Sequence, residues 1–224
     1  MKKILIVSCT QQPRENKQEL KIFDSLRLLK NDVKVKIHFN NKEPLPRIYN
    51  QYITKETLKK HDIVVFAHDD LYIDDLKLKG KLDLAANGLD IIGLAGCLNP
   101  RIKAPALWHL MSDRKDWRGH VAHTIDEKGV IQMTTFGPTP SRVAIIDGLF
   151  MGINLKTVLD TGWKFNEEFS FHHYDISSCI DANKLKLKIG VIPINVIHDS
   201  PGLEDYKNNS YQDSEKKFLQ LYGK

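Results

Sequence analysis

"DIVVFAHDDLYIDD", residues 62–75, decides how the rest of the chain is read. Its first half is an unbroken apolar run, Ile63 to Phe66, typical of a strand covered on both faces. The run then turns acidic at once and presents His68, Asp69 and Asp70 in succession. Adjacent carboxylates repel each other unless a cation or a proton lies between them. Two readings stay open on the residues alone. Either the pair holds a metal at the end of a buried strand, where hard oxygen ligands suit Mg²⁺ or Mn²⁺, or it caps the turn that follows, a place that favours Asp.

Working outward, "KKILIVSC" is a second continuous apolar run and "DVKVKIHFN" alternates Val33, Val35, Ile37 and Phe39 with polar residues. Both read as strands, the first buried and the second half-buried. Leu20, Ile22, Phe23, Leu26, Leu28 and Leu29 predict a helix over 17–30, and 45–60 reads as helical. The first third is therefore strand, helix, strand, helix, strand, an α/β pattern that puts ligands at the carboxyl ends of strands. "LDIIGLAGC" (89–97) predicts a fourth buried strand. Beyond it come an aperiodic stretch with Trp108 and Trp117, a hairpin turning at Asp126–Gly129, and a strand pair over 141–154. A short helix stopped by Gly162, a helix over 174–186, a final strand over 188–200 and a tail helix over 211–222 complete the pattern. The expected organisation is one domain over 1–224. Its sheet is mostly parallel and flanked by helices, with a nucleotide-type half at 1–97 and a more irregular half at 98–224.

Composition narrows the function. Charged residues at 27% and hydrophobic residues at 42% exclude wholesale disorder. The surplus of 33 Lys and Arg over 28 Asp and Glu welcomes an anionic ligand, yet no basic block argues for nucleic acid. Three widely spaced cysteines read as reduced thiols and predict a cytoplasmic protein. The opening "MKKILIVSCTQQ" is too short in its apolar run for a signal peptide. No stretch reaches the length of a membrane span, so any membrane association would be peripheral.

Four segments besides the acidic one carry a family likeness: "PLPRIYNQYI" (44–53), "IIDGLF" (145–150), "FHHYDISSCIDA" (171–182) and "VIHDSPG" (196–202). In this order they resemble the GT-A glycosyltransferases, specifically the small inverting family-two-like enzymes, over about residues 3–202. The resemblance implies a sugar nucleotide donor, with UDP-sugar the expectation, a hydroxyl-bearing acceptor such as a carbohydrate, and Mn²⁺ or Mg²⁺. It implies that Asp70 and His198 hold the metal and that Arg47, Asn50 and Asp69 lie near the nucleotide or diphosphate. Asp147 and Gly148 would lie beside the sugar and acceptor, and Asp175 would be the general base. His172 and His173 become candidate acceptor contacts. Members often carry a second acid in the late helix where this chain has Ser177.

Each residue also has a plainer reading. Arg47 suits a solvated surface and Asp147–Gly148 a turn, while Trp108 and Trp117 suit either a core or stacking on an apolar sugar face. Asp175 sits where an N-cap would sit, and there the helix dipole would hold it ionised. A sugar-phosphate nucleotidyltransferase is an alternative, but "SCTQQPREN" lacks the glycine-rich phosphate loop expected after its first strand. A non-catalytic nucleotide- or carbohydrate-binding module is the other.

Overall fold

The computed structural model describes residues 2–29, 33–125, 129–199 and 208–223. Its centre is a seven-stranded sheet in the order β2-β1-β3-β11-β5-β12-β9. These strands are β1 (Ile4–Cys9), β2 (Lys34–His38), β3 (Ile63–Ala67), β5 (Ile91–Gly93), β9 (Ser141–Arg142), β11 (Phe150–Asn154) and β12 (Ile189–Val191). Pairing runs parallel from β2 through β1 to β3 and between β5 and β12, while β11 and β9 run against them. The two continuous apolar runs, β1 and β3, are buried throughout at the sheet centre. Their composition has no polar face to offer water.

A second sheet, in the order β10-β6-β7-β13-β4 with β8 added on β7, stands beside the first. It comprises β4 (Leu71–Ile73), β6 (Ala95–Cys97), β7 (Trp117–Thr124), β8 (Ile131–Gly137), β10 (Ile145–Ile146) and β13 (Val196–His198). Six times the chain leaves one sheet and enters the other within a few residues: β3 to β4, β5 to β6, β8 to β9, β9 to β10, β10 to β11 and β12 to β13. The expected strand over 89–97 is thus two strands divided at Leu94, and the expected strand over 188–200 is two divided around Pro193. Small residues make the first crossing fit. A Cβ on Gly96 would lie 2.0 Å from the Ile145 carbonyl oxygen, which is backbone and has no rotamer to escape into. Gly96→Ala is therefore expected to lower stability by about 1–3 kcal/mol, the usual range for overpacking. Urea unfolding checks this through a shifted midpoint at unchanged slope.

Helices cover the sheets: α1 (Lys21–Leu29), α2 (Leu45–Asn50), α3 (Lys55–Leu58), α4 (Leu78–Ala85), α5 (Leu155–Thr161), α6 (Tyr174–Lys184) and α7 (Asn209–Tyr222). The helix expected over 17–30 is preceded by a separate 3₁₀ turn, Arg14–Glu19, because Leu20 is extended. The helix expected over 45–60 is likewise two, with Thr54 capping the second by accepting from the Thr57 N–H. Gly162 ends α5 in the left-handed region, φ 72°, as expected. The hairpin is β7–β8, and most of its expected turn falls on residues 126–128, outside the described residues. Among the described residues no helix is long and apolar enough to cross a membrane.

Candidate active site

The seam between the sheets collects the polar residues. His68, Asp69 and Asp70 occupy the crossing from β3 to β4, Asp147 and Gly148 the crossing from β10 to β11, and His198 ends β13. Parallel pairing of β13 with β7 and antiparallel pairing with β4 put His198 between His123 and Leu71. One side-chain ligand atom each from His68, Asp70 and His198 lies within 4.8 Å of the others. Asp70 Oδ1 stands 3.3 Å from His198 Nε2 and 4.0 Å from His68 Nδ1. The closer approach lacks hydrogen-bonding alignment, so both buried atoms are left without a hydrogen-bond partner. Two orphaned ligand atoms facing each other, with an imidazole beside them, fit a divalent cation. Burial alone would favour the neutral forms. Their mutual attraction instead holds Asp70 below its usual pKa and His198 above, whereas burial keeps His68 below.

Proton counting fixes the His68 ring. The Tyr174 hydroxyl donates its one proton to the Gly148 carbonyl at 2.8 Å. His68 Nε2, 3.3 Å from the same hydroxyl, must therefore donate to it. That leaves the Nδ1 lone pair turned toward Asp70. Phe171 stacks on the opposite aspect of the ring, centroids 5.6 Å apart. Tyr174 thus orients an imidazole that could hold a cation, and partners of this kind typically change metal affinity by about 10- to 100-fold. Tyr174→Phe keeps the buried ring and is expected to weaken Mn²⁺ binding by that factor, read by calorimetry, and to cost about 1–3 kcal/mol of stability because the buried Gly148 carbonyl loses its donor.

The second acidic pair lies across the same cavity. Asp147 accepts from Trp108 Nε1 at 2.8 Å and from the Leu149 N–H at 3.0 Å. Asp175 accepts from the Gly148 N–H at 2.9 Å and from the Ile176 N–H at 2.8 Å. Gly148 has no room for a side chain, since a Cβ would sit 2.6 Å from the Tyr174 hydroxyl and 3.0 Å from the Asp175 Cβ. Asp175 is not the N-cap of α6. His173, left-handed at φ 64°, holds that position, and Asp175 falls inside the first turn. Nor is its pKa lowered: burial, then the charge of Asp147, pushes it up to about 7 despite three backbone hydrogen bonds. A carboxyl titrating near neutrality can accept a proton there, as a general base must.

A family model described as "Glycosyltransferase like family" matches residues 5–222. The chain belongs to this glycosyltransferase-like family. No curated protein matches it in sequence. Among solved structures, A197 from STIV aligns with a TM-score of 0.52 at 13% identity, over 88% of this chain and 86% of its own. The mannosyltransferase PcManGT from Pyrobaculum calidifontis, in complex with GDP-Man and Mn²⁺, aligns at 0.51 and 10% identity. That match covers 91% of this chain and 58% of the Pyrobaculum chain. GalNAc-T7 with UDP, GalNAc and Mn²⁺ aligns at 0.49 and 10% identity, over 99% of this chain and 48% of its own. The mixed sheet flanked by helices is the GT-A arrangement.

The glycosyltransferase-like family's other expected positions fall in different places. Asp69 turns away from Asp70 and lines a separate cavity of about 460 Å³ with Thr10, Gln11, Gln12 and Lys42. The adjacent carboxylates thus serve two cavities, which answers their apparent repulsion. Arg47 lines neither cavity; it is exposed and paired with Glu43 at 2.7 Å. Asn50 is buried, donating to the Phe165 carbonyl and to Glu167 and accepting from the Phe165 N–H. Its amide is spent on holding that loop, so the structure gives it an anchoring task and not a ligand contact. Ser177 is fully buried and donates to the Tyr174 carbonyl, facing away from the chemistry. Sequence reasoning missed His68 as a third ligand-type residue, although it stands in the quoted stretch. It also missed Tyr174, which only the fold brings to His68.

Proposed function

We propose that this chain is a cation-dependent glycosyltransferase that moves a sugar from a nucleotide donor to a hydroxyl acceptor with inversion. One observation supports this reading above the others. Two cavities, of about 460 and 520 Å³, meet at Asp69–Asp70, and Phe171 lines both. A nucleotide sugar is a two-part ligand joined by a diphosphate, and it needs such a pair of sites joined at a cation. The smaller cavity takes the nucleoside, with Asp69 at its inner end. The larger takes the sugar and acceptor. Residues 1–97 supply most of the first and 98–224 most of the second.

His68, Asp70 and His198 would hold the cation, which offsets negative charge on the departing diphosphate. Two imidazoles and one carboxylate suit Mn²⁺ better than Mg²⁺, which prefers oxygen ligands. Asp175 removes the proton of the attacking hydroxyl. Asp147 keeps the unprotonated Asp175 basic through its nearby charge and is itself fixed by Trp108. Attack from the side opposite the leaving group inverts the anomeric centre. The complex of the Pyrobaculum enzyme with GDP-Man and Mn²⁺ agrees with this reading, and UDP-sugars and GDP-sugars are both candidate donors. Calorimetry of UDP and GDP with Mn²⁺ and with EDTA tests it. Cation-dependent binding of one diphosphate is expected, and equal affinity in both conditions for both nucleotides would overturn it.

A further inference from the structure

The two cavities differ in chemistry. The smaller is lined by amides, Lys42, Glu43 and Asp69. In the larger, Trp108, Trp117 and Phe136 pack edge to face with centroids 5.1–6.2 Å apart. Trp117 and Phe136 remain half-buried, so part of each ring is open to a ligand. Among the described residues lining this cavity there is no Lys or Arg, although the chain carries 33. Arg114 stands over the Trp117 ring, 5.8 Å from its centroid, without lining the cavity. His109 also lines it, and burial lowers its pKa. The acidic side chains at this end are Asp147 and Asp175.

We infer that the aromatic end of the larger cavity is an acceptor subsite for a neutral carbohydrate and disfavours acceptors bearing phosphate, sulfate or uronate. The inference rests on the glycosyltransferase reading for the word acceptor, but its physical basis is independent. Rings present a flat apolar surface that matches the C–H face of a sugar. The few carboxylates and imidazoles accept hydroxyl protons, the pattern of a pocket that orients a polyhydroxy ligand. An anionic group placed here would be desolvated beside the Asp147 and Asp175 carboxyls, with no Lys or Arg among the described lining residues to pair with. The cation of the proposed function is already matched by Asp70 and the donor diphosphate, so the charge costs more than the stacking returns. Thr134, half-buried on β8 in the same wall, marks where a positive charge would have to be added to change that preference.

A glycan array tests this with the full chain, in Mn²⁺ plus UDP and again without them. The array carries neutral oligosaccharides beside the same structures phosphorylated, sulfated or oxidised to uronates. Binding to neutral glycans is expected to exceed binding to their charged counterparts by roughly tenfold or more, with Phe136→Ala lowering the neutral signal by about tenfold. Thr134→Lys is expected to recover the charged glycans. Preference for charged glycans, or no glycan bound in either condition, would overturn the inference. Calorimetry of UDP and GDP with Mn²⁺ on the same preparation separates it from the parent reading. Nucleotide binding with a charged preference sinks only the acceptor assignment. Neutral glycans bound without any nucleotide binding sink only the transferase.

Discussion

The Asp175→Asn protein is expected to bind donor normally and to transfer sugar roughly 10²- to 10⁴-fold more slowly, the usual loss for a missing general base. The wild-type rate should rise with pH along a limb near 7, because burial and Asp147 push Asp175 up to about 7. Asn removes that limb. Stability moves the other way. The folded protein keeps a proton on Asp175 that the unfolded chain releases near 3.8, so stability from this group falls as pH rises from about 4 to about 7. The Asn protein should lack that slope. It should not be free of cost, since Gly148 and Ile176 both donate to the carboxylate and an amide has one oxygen to accept with. Pre-steady-state transfer rates over pH 5–9, with melting curves at the same values, check both halves. A wild-type rate in the Asn protein would remove Asp175 from the chemistry and turn attention to Asp147.

Asp70→Ala should abolish the gain in nucleotide affinity given by Mn²⁺, a gain expected to be at least roughly tenfold, or ~1.4 kcal/mol. The fold should survive, because the Asp70 side chain is about a third exposed at 34% and no core void is left. His198→Ala should produce the same loss. The double variant should lose little more, since ligands of one ion act as a unit and their effects do not add. Calorimetry with Mn²⁺ and with EDTA reads all three. Retention of full cation dependence in either single variant would exclude that residue as a ligand.

Where the sequence carried its own pattern, the structure agrees with it. The apolar runs of β1 and β3 and the alternation before His38 became the strands they suggested. The acidic segment did end a buried strand, and His198 did arrive beside Asp70 from more than a hundred residues away. What stayed hidden depended on contacts made only in three dimensions. Nothing local divides "LDIIGLAGC" into two sheets, because both halves are apolar and both are buried. The ionisation of Asp175 was read from its helix, and the stronger influence of burial and Asp147 came from another strand. Arg47 and Asn50 followed a motif whose side chains here turn to Glu43 and to the 165–167 loop. The stretch over 101–120 has no clear period because Trp108, His109 and Trp117 answer to a cavity wall.

The repeated crossing between sheets separates two kinds of evolutionary constraint. Ladder residues are tied to register, where a one-residue slip reverses every side chain. The residues at positions 68–70 and 147–148 lie between ladders, and most of their side chains face a cavity. Substitutions there can retune donor or cation preference while both sheets keep their pairing. For directed evolution this recommends a narrow library at 68–70, with Gly148 and Tyr174 held constant because each leaves the other no spare room. New specificity would then come from exchanging side chains at the joints, with the two frames inherited unchanged.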